Sequence, residues 1–242
     1  MTHRTRAVPA LAVLGVALVT ASLLLYGLLH VVPPSSELDW TRRTISQYAL
    51  LSNGWAFDAA TLLLAGGSLA ILAALRHARI VHGGAAVALA LWVAGLVGVV
   101  WFEKHNWAAG PSASGDIHRV ASLIAFLSLP AGALLAAAPW LRVPHARRQA
   151  RLVALGGVAS LVCFAPILWA LVSEPWTGVR WWRAIPLGGV ERALGLAEVL
   201  TVLLLAWWAL RSAVPGPAGR QGPPEGATAS PGDRIAVGEA PD

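Results

Sequence analysis

The sequence predicts an all-α fold: a polytopic membrane protein built as a bundle of six transmembrane helices. Two observations carry that expectation. Six long apolar runs take up more than half of the 242 residues. Every acidic residue up to Glu198 is also kept off one side of the membrane that those runs imply. A composition that is 57% hydrophobic and 12% charged agrees, since ordinary soluble domains carry roughly a quarter charged residues. A bilayer-crossing helix needs about 20 mostly apolar residues, and runs of that kind cover residues 10–31, 54–75, 83–102, 117–138, 152–173 and 190–210. The implied organisation is a short cytoplasmic N-terminus at 1–9, one membrane domain at 10–211 and a tail at 212–242.

The first run follows Arg4 and Arg6 and so has the outline of a signal peptide. It is too long for one, since signal h-regions span roughly 7–15 residues, and no small-x-small cleavage site follows before Val31-Val32-Pro33-Pro34. It reads as a retained first span. An even number of spans puts both termini on one side. That side holds Arg4, Arg6, Arg76, Arg79, Arg142, Arg147, Arg148, Arg151 and Arg211, a modest basic excess that points to the cytoplasm of a cell membrane. The opposite side collects Glu37, Asp39, Glu103, Asp116, Glu174 and Glu191. Trp40, Trp55, Trp101, Trp107, Trp176, Trp181 and Trp182 fall near that outer boundary, and Trp140, Trp207 and Trp208 near the inner one, where indole rings anchor at headgroup level.

Among the connections, residues 32–53, 103–116 and 174–189 form the longer, outer loops. In the first, Thr44–Leu51 fits a short helix lying on the membrane surface. Within the spans small residues recur at four-residue spacing, as in Ala90, Ala94 and Gly98, a seam of the type that lets helix backbones approach in lipid. Pro130 and Pro166 interrupt the fourth and fifth runs and imply kinks. Beyond Val214 the chain is rich in Pro, Gly, Ala and Ser, a composition that cannot bury enough apolar surface to order itself. No long-period repeat supports an inverted-repeat transporter.

The net charge of +6 does not imply nucleic acid, because the basic residues flank spans and form no stripe interleaved with exposed aromatics. The partner it implies is membrane lipid. The single cysteine, Cys163, lies within an apolar run and excludes an internal disulfide or a Cys-rich metal site.

Three groups of residues could carry chemistry. Acid-x-His occurs twice, as Glu103-Lys104-His105 and as Asp116-Ile117-His118, on either side of one short loop. Carboxylate and imidazole together suit a divalent metal or general acid–base work. The alternative is that Asp116 caps the fourth helix, with the histidines at a wet boundary. The second group is acid within the spans. Asp58 lies about one turn inside the second span, and Glu198 approaches the midplane, some 12 Å deep at 1.5 Å per residue. Arg192 adjoins Glu191 and can pair with it or with Asp58. Intramembrane ionisable groups are either functional or fix the bundle by interhelical hydrogen bonds. The third is Ser46, a nucleophile if a base stands beside it, otherwise a residue opening the interfacial helix.

In order along the chain, Ser46-Gln47-Tyr48, Gly54-Trp55-Ala56-Phe57, Asp116-Ile117-His118-Arg119 and Gly188-Gly189-Val190-Glu191-Arg192 resemble the six-span prokaryotic membrane proteins of domain-of-unknown-function family 998, over about residues 10–211. The resemblance implies one six-helix bundle with outward-facing polar residues at Ser46, His118, Glu191 and Arg192. It implies no settled activity. Where members commonly have a Phe-Pro-x-Asp-like turn after the third span, this chain has Trp101-Phe102-Glu103-Lys104-His105, so no role rests on an Asp there.

The sequence thus points to an outward-opening polar pocket gathering Ser46, Asp58, Glu103, His105, Asp116, His118, Glu191, Arg192 and Glu198. The leading functional expectation is a non-enzymatic membrane protein that binds a lipid headgroup or small amphiphile there, with Arg119 and Arg192 meeting anionic groups, or that supports an envelope assembly. Two alternatives stand beside it. One is a metal- or His-assisted hydrolase or transferase acting on lipid, its candidates His105, Asp116 and His118 with Glu103 as a further metal ligand. The other is a proton-coupled carrier using Asp58 and Glu198. None implies an organic cofactor.

Overall fold

A computed structural model describes residues 2–106 and 109–213. Among the described residues, seven α-helices run in chain order: α1 (Thr2–Val31), α2 (Gly54–His77), α3 (Gly83–Trp101), α4 (Ala113–Ala137), α5 (Arg147–Thr177), the single turn α6 (Trp181–Ala184) and α7 (Leu187–Ser212). All but α6 are long and apolar enough to cross a membrane, and the chain is a multi-pass helical membrane protein. Each apolar run overlaps one helix, but several helices run longer: α1 starts at Thr2, α4 at Ala113, and α5 extends over Arg147–Thr177. Residues 2–9 therefore continue the first helix instead of preceding it. Trp107 and the tail beyond residue 213 lie outside the described residues.

Each crossing helix packs on the one before it, and α7 closes the ring against α1 while also touching α2. Lipid offers no hydrophobic drive between helices, so contact depends on close backbone approach. Gly15 of α1 and Gly67 of α2 face each other so closely that a Cβ on either would lie 2.8 Å from the other's carbonyl oxygen. The α3–α4 contact is set by Gly95, where a Cβ would meet the Ala121 carbonyl at 2.8 Å. The Ala90-Ala94-Gly98 seam is not the buried stripe: Ala90 and Ala94 are exposed, and only Gly98 approaches α4. The true stripe is Ala85, Leu89, Trp92 and Gly95–Leu96, because Trp92 must face inward to donate to Ser68 Oγ at 2.9 Å. A lone indole N–H in hydrocarbon costs more than a buried alanine gains.

Pro130 and Pro166 sit inside continuous helices. The Pro130 carbonyl faces Gly157, bringing α4 and α5 together near mid-bundle. At the end of the bundle where α1 begins, Trp140 donates to the Ile80 carbonyl at 3.1 Å and meets Trp208 edge-to-face at 6.0 Å. Trp208 is buried core rather than a headgroup anchor. Placing Leu at Gly95 is expected to overpack the α3–α4 contact by about 1–3 kcal/mol and lower the melting temperature of the detergent-purified protein. Gly195→Ala, at a site with nothing within 4 Å, is expected to leave it unchanged.

Candidate functional site

The loop joining α1 to α2 folds onto the start of α7. Asp39 starts this fold: it accepts from the Thr41 amide at 2.9 Å and the Thr41 hydroxyl at 2.6 Å, and these bonds hold its carboxyl below the usual carboxylate range. The Gly189 amide then donates to the Thr41 carbonyl at 3.0 Å. At Gly188 any side chain would strike the Trp40 and Arg43 carbonyls, so glycine is what lets the loop come down.

Arg192 fastens the assembly. Its guanidinium donates to the carbonyls of Trp40 and Arg43, both at 2.8 Å, and of Gly188 at 3.0 Å. It also reaches the Tyr48 hydroxyl at 2.7 Å and His30 Nε2 at 2.9 Å. The sequence assigned Arg192 to a ligand or to an acid partner. In the structure its donors are committed to the protein's own backbone and rings, and it does not line the cavity described below. Tyr48 is buried with Leu29, Ala56 and Phe57. The expected interfacial helix is thus a 3₁₀ segment, Ile45–Leu50, pinned by one aromatic ring beneath and one guanidinium beside it.

This folding fixes the residues around Ser46. The Ile45 amide donates to Glu191 Oε2 at 2.9 Å. From the α3–α4 loop, Lys104 Nζ donates to the hydroxyls of Thr44 and Ser46, the latter at 2.9 Å. Burial lowers the Lys104 amine to about 8, since desolvation disfavours the ammonium.

The two acid-x-His triplets do meet, with different partners from those expected. Ser112 caps α4 by accepting from the Gly115 amide at 3.1 Å, and Asp116 sits in the first turn without capping. His105 packs against Gly115, where a Cβ would collide with its ring. Its Nδ1 accepts from the Ser112 amide at 3.0 Å, so Nε2 bears the proton and donates to Asp116 at 3.2 Å. His118 Nδ1 lies 2.9 Å from the Phe102 carbonyl and ties α4 to the end of α3. Glu103 is exposed and offers its backbone carbonyl, to Ser114. Among the described residues no three His, Cys, Asp or Glu side chains gather to hold a metal, Glu103, His105, Asp116 and His118 included. The sequence places these residues near one another; His105 and Asp116 do bond, whereas His118 turns to the Phe102 carbonyl and Glu103 stays exposed.

A cavity of about 550 Å³ opens at this end of the bundle, within the range of small-molecule sites. Its polar lining includes Ser46, Lys104, His105, His118, Arg119 and Glu191, together with Arg42, Arg43, Thr44 and Gln47. Leu123 and Phe126 of α4, Phe164, Ile167 and Leu171 of α5, and Leu187 form the apolar side, with Trp181 and Trp182 near the mouth. Of the predicted site residues, Asp58, Glu103, Asp116, Arg192 and Glu198 do not line it. Glu198 is 1% exposed within the bundle, and Asp58 stands partly exposed on α2. A carrier route through both acids therefore gains no path from this cavity. Sequence reasoning missed Lys104 as a site residue, although it sits at the centre of the Glu-Lys-His triplet. It also missed Arg42-Arg43, whose adjacency was the available signal.

A family model described as "Protein of unknown function (DUF998)" matches residues 13–208. No curated protein and no solved structure matches the chain.

Lysine cannot reproduce the forked donation of arginine. Both Arg192→Lys and Arg192→Ala are therefore expected to loosen the 32–53 loop and speed trypsin cleavage after Arg42 or Arg43 about tenfold or more, as losing charged hydrogen bonds of about 1.5–3 kcal/mol each requires. Timed digestion of the folded protein, followed by peptide mass spectrometry, measures it.

Proposed function

The chain belongs to the DUF998 family of proteins of unknown function, and we propose that it binds the head of an anionic amphiphile in the cavity opposite its termini. One observation carries this reading: a single cavity is lined both by cations, Arg42, Arg43, Lys104 and Arg119, and by hydrocarbon side chains of α4 and α5. A free anion in water does not need the apolar wall, and a neutral lipid tail does not need the cations. A molecule with both parts uses the whole surface.

The charges favour a phosphate or carboxylate head. Guanidinium groups meet such oxygens with paired hydrogen bonds, and a basic residue near an anionic lipid contributes about 1 kcal/mol. Glu191 balances part of this charge. The Ile45 amide donates to its Oε2 and fixes the carboxylate in the cavity lining. Leu123 and Leu171 are exposed on α4 and α5, so an acyl chain can enter sideways from the bilayer. The basic excess at the termini end supports an outward-facing cavity in the cell membrane.

Lys104 adds a pH signature. Its environment comprises Glu191 of α7, His118 and Arg119 of α4, Arg43 of the first outer loop and its neighbour His105. The ammonium is present below its value of about 8 and is lost above it, so affinity for an anionic lipid is expected to fall about fivefold between about pH 7 and pH 9, the loss of roughly 1 kcal/mol. Native mass spectrometry of the detergent-purified protein should find a co-purifying anionic lipid that Arg43→Glu and Arg119→Glu each remove. A wild type that carries no such lipid, or variants that keep it, would sink the reading.

A further inference from the structure

Ser46 and Lys104 are placed for more than holding charge. Ser46 Oγ lies 2.9 Å from Lys104 Nζ, and both side chains line the cavity. The Thr44 hydroxyl also accepts from Nζ and lies 3.3 Å from Ser46 Oγ. Glu191, fixed by the Ile45 amide, stands on the same wall. The acid-x-His triplets bond differently: His105 to the Ser112 amide and Asp116, and His118 to the Phe102 carbonyl.

We propose that Ser46 and Lys104 form a nucleophile–base pair that hydrolyses a carboxylic ester of the amphiphile held in this cavity. The inference rests on the binding reading above. A serine hydroxyl is a weak nucleophile until an adjacent base takes its proton, and a desolvated lysine can be that base. With its amine lowered to about 8, Lys104 is neutral in roughly a tenth of molecules near neutral pH. In that form Nζ accepts from Ser46 Oγ instead of donating to it.

The reaction then balances. Ser46 Oγ bonds to the ester carbonyl carbon as its proton passes to Lys104 Nζ. The carbon–oxygen bond to the alcohol portion breaks, and that oxygen leaves with the proton from Nζ. Water, deprotonated by the same amine, adds to the acyl carbon, and the bond to Ser46 Oγ breaks as Oγ regains a proton. Ester and water become acid and alcohol, with no change in oxidation state. Cations along the wall offset the negative charge that develops on the carbonyl oxygen. Thr44 acts as a positioning residue that keeps the amine beside Ser46.

The experiment uses the full chain in detergent micelles treated with a fluorophosphonate, a reagent that phosphonylates activated serines, with the adduct mapped by peptide mass spectrometry. Ser46 is expected to be modified at a rate that rises with pH about a midpoint near 8, opposite in sense to the fall in lipid binding. Ser46→Ala should abolish the adduct. Lys104→Arg keeps the charge and the donors but cannot act as a base, and should slow labelling about 100-fold or more. No adduct at Ser46 in the wild type, a flat pH profile, or an unchanged rate in Lys104→Arg would overturn the proposal; the first two need no variant to fold. Native mass spectra of the same samples separate the two readings. Lipid retained without labelling removes the ester chemistry alone, while absence of lipid removes the binding reading as well.

Discussion

The geometry of the cavity depends on one guanidinium. Arg192 projects from the first turns of α7 and collects three backbone carbonyls, a phenol and an imidazole. Three of those partners, Trp40, Arg43 and Tyr48, lie in one loop. At a membrane boundary, a loop carbonyl left without a donor costs free energy comparable to a lost hydrogen bond. A planar cation with five donors can settle several at once. By holding Arg43 through its backbone, Arg192 leaves the Arg43 side chain to line the cavity and sets Thr44 and Ser46 facing Lys104.

Beneath that fastening, the bundle supplies rigidity by close approach more than by large side chains. Gly15 against Gly67 and Gly95 against Ala121 bring helix backbones together where a methyl group would collide. Such contacts gain dispersion in a phase where burial alone drives nothing. Near mid-bundle the Pro130 carbonyl meets Gly157, while toward the end away from the start of α1 the residues of α4 and α5 line the cavity. The small residues that close one part of the interface thus define where the open part begins.

The electrostatics of the site follow from this packing. Arg42 and Arg43 line the same cavity as Lys104 and Arg119 because the folded loop brings them there. Glu191 offsets part of their charge, and its bond to the Ile45 amide keeps it on the wall. Lys104 is more buried than Arg42, Arg43 or Arg119, and that burial lowers its amine to about 8. One amine thereby supports anion binding when charged and proton abstraction when neutral.

The six spans, their approximate ends and the gathering of acids at one end were legible in the sequence, because span length and residue polarity are imposed locally by the bilayer. Proximity in sequence also brought His105 and Asp116 together across a short loop. The partners of Arg192, the inward turn of Trp208, the choice of Gly95 over Ala94 and the contact of Ser46 with Lys104 were not legible. Each joins residues from different helices or loops, and helical rotation about its own axis is fixed only when neighbours pack. The chain alone determined that polar groups would collect beneath one surface. Which of them face a common cavity was decided by the ring of helices and by the loop that Arg192 draws down onto it.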